Sequence, residues 1–288
     1  NGPAAGTGVN MTVQAPTPLS VPSGTDQVAY GSGFGCALAN GDVSCWGESD
    51  FANFGISPAP VGIVAATDAV TVPLTRMPTE LDCGGFSFCC GLAGPDVTCW
   101  GLPESSRHGD GLRDGRVPNV PVGLSDVTAI DMGGAICALD EGALRCWGAA
   151  ESTGFGDGVT RYLPDTLIPS GIAQVSMGLD RTCTRSTTGT VQCWGLGLAG
   201  DQALTMDATV PVTVDQSMMG PATQVTTGGS GSDQFTCALD NVGTAWCWGT
   251  TTLGLCGNGS RTCPRPVQVS GGLTFSSIAA GPLHVCGV

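Results

Sequence analysis

Apolar residues along the chain gather into short runs, separated at short intervals by polar and turn-forming residues. Some runs end at glycine, as Val127 to Gly133, Ala173 to Gly178, Thr223 to Gly228 and Phe275 to Gly281 do. Others are flanked by proline, among them Pro118-Asn119-Val120-Pro121-Val122, Val210 to Val214 and Pro266 to Val269. Between a run of the first kind and one of the second stand two further short segments, each carrying a cysteine. Runs this short, bounded by glycine and proline, predict strands rather than long helices. The recurring unit therefore reads as four strands, about one propeller blade.

A triplet marks every unit. Cys-Trp-Gly stands at Cys45-Trp46-Gly47, Cys99-Trp100-Gly101, Cys146-Trp147-Gly148, Cys193-Trp194-Gly195 and Cys247-Trp248-Gly249, with successive tryptophans 54, 47, 47 and 54 residues apart. That period matches a four-stranded blade and exceeds most helical repeats. Recurrence at one blade position assigns these tryptophans to packing between neighbouring blades.

A second cysteine precedes each triplet, pairing Cys36 with Cys45, Cys90 with Cys99, Cys137 with Cys146, Cys183 with Cys193 and Cys237 with Cys247 at intervals of 9, 9, 9, 10 and 10. If each pair faces across a hairpin, the first turn falls on Asn40-Gly41, a dipeptide suited to a type I′ turn. The third falls on Glu141-Gly142, and the two longer loops, Thr187-Thr188-Gly189 and Asn241-Val242-Gly243, each end in the glycine that a three-residue loop needs. The second copy, centred on Gly94-Pro95, fits this scheme less well. Facing residues of a non-hydrogen-bonded pair have α-carbons about 4.5 to 5.5 Å apart, within the span of a disulfide. A ring of about ten residues contributes about 2 to 3 kcal/mol by loop entropy, less where the hairpin already forms locally. Cys256 and Cys263 bracket a loop and are expected to pair, as are Cys83 and Cys89, although adjacent Cys89 and Cys90 leave open which belongs to the hairpin. Cys286 is then unpaired.

Composition agrees with a chain of turns and short strands: 46 glycines and 19 prolines accompany only 12% charged residues. The net charge is −14, all ten basic residues are arginine, and nineteen of the acids are aspartate. A field of that sign repels phosphate, which argues against nucleic acid and anionic lipid as partners. Fifteen cysteines spaced for bridging point to an oxidising compartment. No apolar run reaches membrane-spanning length, so direct membrane insertion is not expected.

Residues 1–288 read as a single all-β propeller domain of five full repeats plus one split between the two ends, with six or seven blades. Asn1 to Val21 resembles the closing part of a blade and Leu273 to Val288 the opening part of another, whose Cys-Trp-Gly strand is missing. The chain is expected to be a window of a longer protein.

The assembled unit, an apolar strand ending in glycine, a cysteine hairpin, Trp-Gly, a glycine-rich turn and a proline-valine strand, resembles the regulator of chromosome condensation repeat. Cys36-Ala37-Leu38, Cys137-Ala138-Leu139 and Cys237-Ala238-Leu239 stand where that repeat has Thr-x-Ala-Leu. Its Gly-Gln-Leu-Gly turn is approximated at Gly109-Asp110-Gly111, Gly154-Phe155-Gly156 and Gly254-Leu255-Cys256-Gly257. The resemblance implies a β-propeller. The nuclear exchange of nucleotide on a small GTPase, known from the founding member, calls for a basic surface and free thiols, and this sequence departs on both. It is more similar to the cysteine-rich secreted branch.

Candidate chemistry is sparse. Asp110, Asp157 and Asp201, with Asn258, recur in glycine-rich turns, where turn formation accounts for them and the alternating carboxylates of a calcium loop are missing. His108 and His284 are the only histidines, and neither sits in a triad-like arrangement. No catalytic residue, metal or cofactor is expected. Trp246 lies outside the triplets and, by strand alternation, points opposite Cys247, which makes it a candidate binding residue. Asn10 and Asn258 match the N-glycosylation sequon. The function expected is a non-catalytic extracellular or cell-surface module that binds a protein or glycan, within a larger assembly such as a surface appendage or matrix. A secreted hydrolase or lyase with acids in the propeller channel is the alternative, followed by a GTPase exchange factor.

Overall fold

The computed structural model describes residues 21–31, 33–48, 54, 63–64, 68–84, 88–101, 108–111, 120–121, 123–148, 159–202, 206–231, 233–250, 254 and 256–288. Blade 1 contains β1 (Thr25–Tyr30), β2 (Phe34–Ala39), β3 (Asp42–Glu48), β4 (Ile63–Val64) and β5 (Val70–Thr71). Blade 2 contains β6 (Glu80–Gly84), β7 (Phe88–Ala93) and β8 (Asp96–Gly101). In blade 3, β9 (Val127–Met132), β10 (Ile136–Asp140), β11 (Ala143–Gly148) and β12 (Arg161–Ile168) follow one another across the sheet. Blade 4 repeats this order with β13 (Ile172–Met177), β14 (Arg181–Ser186), β15 (Val191–Leu198) and β16 (Met206–Thr213). Blade 5 does so with β17 (Ala222–Ser230), β18 (Asp233–Asp240), β19 (Ala245–Thr250) and β20 (Thr262–Gln268). A last pair, β21 (Ile278–Ala280) and β22 (Val285–Gly287), forms a sixth sheet. Every described pairing is antiparallel, and the chain is all-β with the blade order of a propeller.

The Cys-Trp dipeptide is explained by strand alternation, which sends adjacent side chains to opposite faces of a sheet. Cys36 and Cys45 of blade 1 pack with Trp100 of blade 2. Cys137 and Cys146 pack in the same way with Trp194, and Cys183 and Cys193 with Trp248. The hairpin staples of blades 1 to 4 thus face the following blade, whose tryptophan reaches back over them, while Cys237 and Cys247 of blade 5 pack with Ile278 of the last sheet. All five repeat tryptophans are buried, and the hydrophobic core is a series of such layers between successive blades. The glycine after tryptophan is required by the backbone: Gly249 has φ 126°, and a Cβ there would lie 2.2 Å from the Gln234 carbonyl oxygen.

Hairpin turns follow the local sequence. Asn40 and Gly41 have φ 53° and 88°, and Glu141 and Gly142 have 53° and 74°, the positive pair that a type I′ turn requires. In blade 2 Ala93 pairs with Asp96 and only Gly94 takes a positive φ, 61°, while Pro95 holds the negative value its ring imposes. Glycine at the first central position is the type II′ arrangement, which accounts for the poor fit of this copy to an Asn-Gly turn.

Candidate functional site

The inner strands β1, β6, β9, β13, β17 and β21 contribute residues to a channel of about 830 Å³. Four of the inner strands carry a polar residue just before a buried or half-buried apolar one: Gln27-Val28, Glu80-Leu81, Gln174-Val175 and Gln224-Val225. The glutamines clamp the next blade. The Gln27 amide donates to the Leu81 carbonyl at 2.8 Å and accepts the Leu81 N–H at 2.9 Å. Gln174 makes the same two bonds to Val225, both at 3.0 Å, and Gln224 makes them to Ile278, both at 2.9 Å. Glu80, which lacks a donor, only accepts the Ile130 N–H. Blade 3 has Ala129 at this position, opposite Leu139 as Gln224 is opposite Leu239.

Two residues further along lies a second ring of acceptors. Asp131 accepts the Met177 N–H at 3.0 Å, Ser176 Oγ accepts that of Thr227 at 2.9 Å, and Thr226 Oγ1 accepts that of Ala280 at 2.9 Å. Asp82 accepts the Met132 N–H and also the N–H of its own neighbour Cys83 at 2.9 Å. The double role has a local cause: Ala29, at the equivalent place in blade 1, has no acceptor to offer Cys83.

Burial opposes ionisation of these carboxyls. It raises Asp82 to about 7, against main-chain N–H donors that favour the charged form, with the Glu80 charge adding to the rise. Asp131 is held well above the ordinary carboxyl range by burial and by the neighbouring Asp82 charge, and Glu80 is raised by burial. The described acids of the channel are therefore bound into the joints between blades.

The other sequence candidates lie elsewhere. Asp110 and Asp201 occupy turns of blades 2 and 4, with blade 3 between them, and neither lines the channel. Asp157 and Asn10 fall outside the described residues. Asn258 is exposed, and its side-chain oxygen accepts the Ser260 N–H at 2.9 Å within the turn. His284 is exposed and belongs to the channel lining, whereas His108 is buried against Phe88 with ring centroids 5.1 Å apart. Trp246 is partly buried beside the blade 4–blade 5 core layer, and its indole N–H donates to Asp240 Oδ2 at 3.0 Å. Sulfur–sulfur bonds join Cys36 to Cys45, Cys83 to Cys89, Cys90 to Cys99, Cys137 to Cys146, Cys183 to Cys193, Cys237 to Cys247 and Cys256 to Cys263. Cys286 is exposed and free, opposite Ala279, the register place that Cys237 holds opposite Thr226.

Human WBSCR16 superposes with a TM-score of 0.77 at 20% identity, over 92% of this chain and 71% of that one. A chain of the Kap60 complex with yeast RCC1 (Prp20) gives 0.75 at 17% identity, over 91% and 67%. The fold is an RCC1-like β-propeller. The CRINKLY WD40 ectodomain of the Arabidopsis thaliana receptor kinase ACR4 is similar to the same propeller with a TM-score of 0.55, 21% identity and coverage of 94% and 77%. No protein-family profile and no curated sequence matches the propeller.

Proposed function

We propose that the chain is an extracellular or cell-surface propeller that binds a protein partner and catalyses no reaction. The observation that carries this reading is the set of seven disulfides, every one with at least one buried cysteine, distributed over blades 1 to 5. Such a set is kept by an oxidising environment. Support for a protein partner comes from the yeast RCC1 solved with Kap60 and from the receptor-kinase ectodomain of ACR4, both of this fold. The propeller occupies residues 1–288 as one domain, within a longer surface protein or as a subunit of an appendage or matrix. A glycan partner, and glycosylation at Asn10 and Asn258, belong to the same reading. The channel acids argue against the hydrolase alternative, because their oxygens already accept main-chain N–H groups of neighbouring blades.

Photo-reactive labelling of the oxidised chain on intact cells of its source tests this reading. Lysine is absent, so the probe is coupled through carboxylates. Saturable capture of a surface protein or glycan, abolished by prior reduction, is the expected result. Absence of surface capture together with accelerated nucleotide release from a small GTPase would replace this reading with the intracellular one.

A further inference from the structure

The Cys83–Cys89 pair is an addition to the repeat. In the other full blades the two registered positions hold Tyr30 and Gly35, Met132 and Ile136, Met177 and Thr182, and Thr227 and Thr236. The second member of this pair faces the staple of the preceding blade, as Thr236 Oγ1 does 3.2 Å from Cys183 Sγ. At the blade 1–blade 2 junction that member is Cys89, whose Sγ lies 3.8 Å from Cys36 Sγ. The Sγ atoms of Cys36, Cys83 and Cys89 all lie within 4.8 Å of one another, and Cys45 is bonded to Cys36. Four sulfurs thus share one pocket, walled by Phe54, Val72, Leu81 and Trp100. All four cysteines are buried, and among the described residues no other group of potential metal ligands converges in this way.

We propose that in the reduced chain Cys36, Cys45, Cys83 and Cys89 form a tetrathiolate site for zinc or a similarly soft divalent ion. The two disulfides staple strands within blades 1 and 2, whereas the ion would join the same four sulfurs across the junction between those blades. Tetrahedral zinc with sulfur at about 2.3 Å sets the ligands about 3.8 Å apart, which is the Cys36–Cys89 separation already present. The bonded sulfurs need only move apart within the pocket once their bonds are broken. Two equivalents of a dithiol reductant supply the electrons and protons: both S–S bonds break, four thiols form, and the reductant leaves as two disulfides. Zinc then takes four thiolates and releases four protons to solvent. After the ion has left, two equivalents of a small-molecule disulfide take up the electrons and protons by thiol–disulfide exchange and restore the two bonds, so the metal-bound state belongs to the chain before it meets an oxidising compartment.

Cobalt(II) is the probe. The full chain is reduced anaerobically, freed of reductant and titrated with cobalt, following the far-red bands of tetrahedral thiolate coordination alongside tryptophan fluorescence. The expected result is one strongly absorbing cobalt per chain, displaced by zinc. In the Cys83→Ser/Cys89→Ser variant the affinity falls by at least about tenfold, while the Cys137→Ser/Cys146→Ser variant keeps it. The proposal is overturned if the reduced chain gives no such bands, whether or not its fluorescence reports a folded core. It is equally overturned if both variants bind cobalt alike, since any chance set of thiols would then suffice.

Discussion

Gly133 leaves room for the adjoining blade at the channel. A Cβ at this position would lie 1.8 Å from the Gly178 carbonyl oxygen, a main-chain atom that cannot rotate away. Its φ is unremarkable, so close approach rather than backbone conformation demands the glycine. Gly133→Ala is expected to destabilise the chain by about 3 kcal/mol in chemical denaturation. Asp82 governs a pH effect at the same scale. The unfolded carboxyl loses its proton near pH 4, while the folded one keeps it until about 7. Its contribution is therefore complete below pH 4, declines as pH rises through this window, and is flat above it. Asp82→Asn should remove most of that decline, leaving the variant about 2 kcal/mol more stable than the parent at neutral pH, as read from denaturant midpoints at a series of pH values. Ala129 is the gap in the ring of glutamine clamps. Ala129→Gln should supply two bonds to the backbone of Val175 and raise stability by about 1 kcal/mol in the same assay; an unchanged midpoint would show that Val175 gains nothing from a clamp.

The hairpins were the most legible elements because the cysteines reveal their register. A staple demands residues directly opposite, so an interval of 9 or 10 fixes a loop of two or three residues, and Cys36 pairs in register with Cys45 as Cys183 does with Cys193. Glu141 is the weak member of this set, with φ 53° in a turn that favours asparagine. Glu141→Asn is expected to add about 0.5 to 1 kcal/mol, measured as a higher melting temperature. The inner-strand joints were harder to read. Gln27, Gln174 and Gln224 are each a single polar residue before a valine, and their partners lie 51 to 54 positions away in sequence. Aligning the repeats on their inner strands, rather than on Cys-Trp-Gly, would have set these glutamines in one column. At Trp246 alternation gives the direction of the side chain but not the Asp240 carboxylate that accepts its indole N–H.

At the scale of the molecule, the repeat period implied a propeller, and layers of tryptophan on staple carry that architecture from blade to blade. The channel was not foreseeable residue by residue, because it depends on how inner strands from all the blades converge. The turn aspartates Asp110 and Asp201 drew notice in the sequence for their regular spacing, yet regular spacing in a propeller places residues in different blades. The converging acids are Glu80, Asp82 and Asp131, which come from consecutive inner strands and follow no period shared by every blade. The central claim is a propeller whose blades are each stapled internally by disulfides that form outside the reducing cytosol. Non-reducing peptide mapping by mass spectrometry, on protein taken from its native source, tests it most directly. Linked peptides joining Cys36 to Cys45, Cys90 to Cys99, Cys137 to Cys146, Cys183 to Cys193 and Cys237 to Cys247 are the predicted result. Free thiols at these ten positions would contradict the account and move the protein inside the cell.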